Sequence, residues 1–177
     1  SLSGLIQMDK LDYVKGAEFL NDIIEFIRSE NRVILEYKKF SSTEVKTYLF
    51  DPYMLKEFNG LWYVTGFVEK YNQVRTFALD RIASLKNTKE KYDLIPSFNK
   101  DVYYNNVYGV THTNEEPKEV IIKTDYITAQ YLLVSPIHKS QKQIKSDDLN
   151  VRFSFQLVPN LELKTKLISL GEGCKVE

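Results

Sequence analysis

Histidine and cysteine are nearly absent from this sequence: two histidines, His112 and His138, and one cysteine, Cys174, in 177 residues. One cysteine can form neither an internal disulfide nor a multi-cysteine metal site, which fits a reducing compartment such as the cytoplasm. No His-x-x-x-His or His-x-Glu spacing is present to hold a metal. Glycine is scarce at seven, and its tightest cluster is Gly171-x-Gly173. There is thus no glycine-rich phosphate loop and no Gly-x-Ser-x-Gly nucleophile elbow. No apolar run is long enough to cross a membrane, and Ser1-Leu2-Ser3-Gly4 lacks the basic-then-apolar pattern of a signal peptide. An excess of one charge sign is also missing, with 24 basic residues against 24 acidic ones. No run of like charge exceeds a pair such as Lys38-Lys39. A duplex-DNA binder usually carries a basic excess or stripe, so strong duplex binding by this chain alone is not expected. Cys174, at a predicted strand start, and Asp147-Asp148, in a predicted turn, have ordinary structural explanations. Without a catalytic set, the sequence reads as non-enzymatic and without a cofactor.

Aromatic residues, in contrast, are plentiful: twelve Tyr, ten Phe and one Trp make up 13% of the chain, within a hydrophobic fraction of 43%. Such rings fill small barrels, and they also stack on the rings of ligands. The apolar pattern changes period along the chain. Phe19, Leu20, Ile23, Ile24, Phe26 and Ile27 form one stripe, predicting a helix over 16–29. Residues 1–15 are expected to continue from a preceding helix. Val33, Leu35 and Tyr37 then alternate with polar neighbours, as in a half-buried strand. Further strands are expected at Val45 to Phe50, at Tyr53-Met54-Leu55 after a break at Pro52, at Leu61 to Val68 and at Val74 to Ile82. Asn59-Gly60 marks a tight hairpin. About five short strands with tight turns predict a small barrel. Residues 96–117 read as a connector, with Tyr103, Tyr104, Val107 and Tyr108 suited to docking. Beyond it come a strand at Val120 to Ile122, a helix at 126–134, strands at 139–145 and 151–157, a helix at 161–170 capped by Gly171, and a strand from Gly173. This β-α-β-β-α-β order is the ferredoxin-like pattern. The start without Met and the unfinished last strand lead to an expectation of truncation at both ends.

The stretch 50–82 carries the most specific chemistry. Arg75, Phe77, Leu79 and Arg81 share one strand face by the period of two. Arginine grips phosphates and carboxylates with two prongs, so the pair could form an anion site. It could equally be structural, through salt bridges to Asp51, Asp80 or Glu57, or with stems covering the barrel and heads in water. Trp62 and Tyr63 point to opposite faces, one toward the core and the other free to stack.

Together these residues resemble the WYL domain, named for its Trp-Tyr-Leu triplet. Here the triplet is Trp62-Tyr63-Val64, conservative in its third member. It is accompanied by Tyr37, Pro52-Tyr53, the Asn59-Gly60 turn and the Arg75-x-Phe77-x-Leu79-Asp80-Arg81-Ile82 stretch. The resemblance covers about residues 32–95. Residues 118–177 resemble the extension, WCX, that often follows a WYL domain. The resemblance implies an α+β chain organised as an N-terminal helical linker (1–31), an Sm-like, SH3-type five-stranded barrel (32–95), a connector (96–117) and a ferredoxin-like domain (118–177) truncated at its end. It implies the ligand-sensing module of a bacterial transcription regulator. The effector would be nucleotide-like or single-stranded nucleic acid, and promoter DNA would be read only by a helix-turn-helix domain missing here. The chain would act as a cytoplasmic homodimer without membrane contact; the other reading is a structural or dimerisation module with no small ligand. By position, the implied ligand contacts are Tyr37, Lys46, Tyr53, Trp62, Tyr63, Arg75, Phe77 and Arg81.

Overall fold

A computed structural model describes residues 14–113, 115–147 and 149–177 of the chain. The expectation for residues 1–15 therefore falls, up to residue 13, outside the described residues, as does Asp148 of the predicted turn. The chain is mixed α+β and divides into two compact units, residues 1–98 and 99–177, each with its own antiparallel sheet.

The first unit opens with a 3-10 turn, Ala17–Phe19, that runs into helix α1, Leu20–Arg28. Most of the apolar stripe seen in the sequence faces the sheet: Ile23 is buried, and Phe19, Leu20, Phe26 and Ile27 pack around it, whereas Ile24 is exposed. The helix stops where Glu30 takes a left-handed φ of 53°, a helix-ending conformation. Strand β1, Asn31–Lys38, follows at once, burying Val33, Leu35 and Tyr37 on one face.

Strand β2, Val45–Phe58, is one long strand and not the two short ones expected from Pro52. Its first half pairs with β1 and its second with β3, Leu61–Val68, so it bends between two partners. The bend coincides with a register shift between Pro52 and Met54. A proline, lacking an N–H, is tolerated at such a bulge, so it bends the strand instead of ending it. Asn59 and Gly60 both have positive φ, 53° and 78°, as a two-residue hairpin turn requires.

Strand β4, Gln73–Ala78, leads through a 3-10 turn, Leu79–Arg81, into strand β5, Ile82–Lys91. This fifth strand was not foreseen. It is an edge strand pairing with β1, in the sheet order β4-β3-β2-β1-β5. The core joins Val33, Leu35, Tyr37, Tyr48, Phe50, Val64, Val68, Phe77 and Leu79 to Ile23 of the helix. After β5 the chain returns over β2: Tyr92 donates its hydroxyl to the Pro52 carbonyl, and Tyr92 and Phe98 flank the Tyr53 ring.

In the second unit, strand β6 (Lys118–Asp125), helix α2 (Tyr126–Val134), strands β7 (Lys142–Ser146) and β8 (Asn150–Leu157), helix α3 (Leu161–Ile168) and strand β9 (Cys174–Val176) follow in that order. The sheet order is β7-β8-β6-β9. Phe153, Phe155 and Leu157 of β8 meet Ala129 and Leu132 of α2 and Leu163 and Leu167 of α3. Both helices start on side-chain caps: Asp125 accepts from the Thr128 N–H at 2.7 Å and Asn160 from the Leu163 N–H at 2.9 Å. Of residues 96–117, read as a connector, all from 99 onward belong to this unit; Val107 and Val110 are buried, and the Asn160 amide donates to the Tyr108 and Thr111 carbonyls, each at 2.9 Å.

Candidate anion-binding site

The residues marked by the sequence are spread over the first unit's sheet. Tyr37, Tyr53 and Phe77 are each 5% exposed and belong to its interior. Phe77 lies at the centre, with ring centroids 4.9, 5.2 and 5.3 Å from those of Tyr37, Tyr48 and Phe50. The Tyr37 hydroxyl accepts from the Ala78 N–H at 3.4 Å; burial raises its pKa, partly offset by the charge of Arg81. Tyr53 sits among Tyr92 and Phe98, and burial raises its pKa as well. Lys46 is exposed opposite Tyr37 in the β1–β2 register. Trp62 and Tyr63 are both half-buried, and Trp62 packs on the core from the β2–β3 hairpin.

Arg75 and Arg81 do not lie on one strand. The period of two holds from Arg75 to Phe77, and then the 3-10 turn at Leu79–Arg81 breaks it. Arg75 lies flat on the Tyr71 ring, its guanidinium carbon 3.7 Å from the centroid, and reaches the Gln73 side chain at 3.4 Å. Arg81 leaves the turn in another direction and lines a cleft of about 280 Å³ with Lys15, Lys38, Lys39, Phe40 and Asp80. Its guanidinium carbon is 4.9 Å from the Phe40 ring centroid and 5.8 Å from that of Tyr37.

The carboxylates that the sequence offers as partners for both arginines are distributed differently. Asp51, 3% exposed, is held by Arg32, whose Nε and Nη2 donate at 2.6 and 3.0 Å. Glu57 accepts from the Gly60 N–H at 2.5 Å within its own hairpin. Asp80 is the neighbour of Arg81, at 3.5 Å from Nε, too long for a good hydrogen bond. Both Asp80 Oδ1 and Arg81 Nε are buried without a hydrogen-bond partner.

The cleft is built from three chain segments, two of them in close backbone contact. Gly16, with φ of 91°, lies against the backbone of the turn, such that a Cβ there would come within 2.3 Å of the Leu79 carbonyl carbon and 2.5 Å of the Asp80 nitrogen. This close approach brings Lys15 alongside Arg81. Lys38, Lys39 and Phe40 come from the end of β1 and the turn after it. Sequence reasoning missed these four, although Lys38-Lys39-Phe40, two cations and an aromatic just before the Ser41-Ser42 turn, was a visible signal.

Residues 18–87 match the family model of the WYL domain. Over these residues the first unit is similar to the WYL domain. Its triplet, Trp62-Tyr63-Val64, occupies β3: Val64 is core, and Trp62 and Tyr63 lie half-buried beside β2 and β4. The WYL match points to a regulatory protein and not to an enzyme. No curated protein sequence matches the chain. Among solved structures it is similar to proteasome accessory factor B/C (PafBC) of Arthrobacter aurescens, at 16% identity and a TM-score of 0.46, over 97% of this chain and 27% of that one. The chain thus spans about a quarter of that protein's length. No helix among the described residues is long and apolar enough to cross a membrane.

Proposed function

We propose that this chain is the ligand-sensing part of a transcription regulator, binding a nucleotide-like or single-stranded nucleic-acid anion in the WYL domain cleft around Arg81. The observation that carries the reading is the half-exposed Arg81 side chain, lining a cleft that also holds three lysines and the 79% exposed Phe40 ring. Cations that hold phosphate oxygens beside a ring that stacks a base are what such a ligand needs. In this reading Tyr37 and Phe77 support the cleft from inside, and Arg75 on Tyr71 is peripheral. The five strands with a 3-10 turn before the last are read as an Sm-like, SH3-type barrel. The second unit, with its β-α-β-β-α-β order, is read as a ferredoxin-like WCX domain. Promoter DNA would be read by a helix-turn-helix domain outside this sequence.

A second reading, a dimerisation module, is favoured by one observation: α2 is apolar on its outer side too, with Ile127, Tyr131 and Val134 exposed at 69%, 73% and 88%. Both roles are compatible in a homodimer, and sedimentation of the chain tests this one.

Titration calorimetry with short single strands tests the first. Arg81→Ala should weaken binding by roughly ten- to a hundredfold, the loss of one charge-assisted contact of about 1.5–3 kcal/mol. Arg81→Lys should restore part of it, since an ammonium lacks the two-pronged fork. Arg75→Ala should change it little. Equal binding by the parent and Arg81→Ala would end the reading.

A further inference from the structure

The Arg81 cleft gathers its charge at one point. Lys15, Lys38, Lys39 and Arg81 share about 280 Å³ with a single carboxylate, Asp80. A groove built to follow a strand does the opposite: it spreads cations along a track of several nucleotides, each facing a singly charged phosphodiester. Four cations against one carboxylate in so small a space leave a local surplus of three positive charges. That suits a ligand with more than one negative charge on one group.

A terminal phosphate monoester is such a group. At neutral pH it carries close to two negative charges and three acceptor oxygens, where a diester carries one charge. The volume lies at the small end of ligand pockets, enough for about one nucleotide. The rim supplies the rest of a nucleotide's needs: Phe40 is 79% exposed, and the Arg81 guanidinium stands 4.9 Å from its ring centroid. A base laid on Phe40 would therefore hold its phosphate close to Arg81.

We infer that the cleft recognises a phosphate monoester next to one base, either as a free mononucleotide or as the phosphorylated end of a short strand. This inference rests on the anion-binding reading above and narrows it.

The test uses the 177-residue chain and five calorimetric probes: a nucleoside 5′-monophosphate, its nucleoside, inorganic phosphate, a short single strand with a 5′-phosphate, and the same strand with a 5′-hydroxyl. The expected result is that at least one phosphorylated probe binds, that the 5′-hydroxyl strand binds roughly tenfold or more weakly than its phosphorylated twin, and that the nucleoside does not bind. Binding by the monophosphate without the strand identifies a free nucleotide as the source, and the reverse identifies a strand end. If both strands bind and bind equally well, the inference is overturned and the anion reading stays intact. If no probe binds, both fail. Phe40→Ala, at an exposed position that folding does not need, should weaken the nucleoside monophosphate while leaving inorganic phosphate unchanged. Equal loss for both, or for neither, would remove the base from the site and with it the inference.

Discussion

Arg32 clasps Asp51 from β1 to β2 with two hydrogen bonds, 2.6 and 3.0 Å long, beside the Pro52 bulge. Asp51 is buried, and its partner keeps 22% of its side chain exposed. Removing one member of a buried pair leaves the other without compensation. Asp51→Ala should therefore cost about 2–4 kcal/mol in urea unfolding, below the fully buried limit because Arg32 still reaches water. Asp51→Asn, which keeps an acceptor, should cost less.

Phe77 and Trp62 make a contrasting pair. Trp62 is the larger ring and half-buried, whereas Phe77 touches three rings in the interior. Phe77→Ala should cost about 3–5 kcal/mol and Trp62→Ala roughly half as much, measured by the same unfolding series. A larger loss at Trp62 would mean that its packing on the hairpin matters more than the central ring.

Asn160 serves two ends of the second unit at once. Its oxygen caps α3 and its amide holds the 108–111 segment. Asn160→Ala should cost about 1–3 kcal/mol. Asn160→Ser keeps a cap but no amide, so it should protect α3 while raising hydrogen exchange around 106–111.

The Asp125 carboxylate accepts from the Thr128 N–H, and this bond holds its pKa below the ordinary value. A carboxyl lowered in the folded state stabilises fully above its unfolded pKa, about 3.9, and loses that effect as pH falls through the folded value. Melting curves of the parent and Asp125→Ala should differ at neutral pH and converge in acid. A gap that stays constant down to the lowest pH would assign the effect to packing and not to the charged cap.

Much of this fold could be read from local chemistry. Asn59-Gly60 declared its turn because positive φ at two successive positions suits few other residues. The α1 stripe and the Val33-Leu35-Tyr37 alternation located one face of each element. Strand β5 was hidden because it is an edge strand: Leu85 and Thr88 are only half-buried, and Lys86, Lys89, Glu90 and Lys91 give it the polarity of a loop. Pro52 misled because its effect depends on whether the partner strand can absorb a bulge, which is a tertiary property. Arg75 and Arg81 were placed together by a strand period that the turn at Leu79 interrupts, and nothing local predicts that Lys15 lies across from Arg81.

Gly16 touches no ligand in any of these proposals, yet it sets the gauge of the cleft. One lip carries Lys15 and the other Arg81, and between them backbone rests on backbone with no room for a single carbon. Any side chain at position 16 would act as a wedge, prying the lips apart while leaving every charged group in the sequence unchanged. Any affinity the proposed site has would therefore depend on the smallest residue near it. A comparison of variants that tracked only arginines and lysines would miss the position that holds them in register.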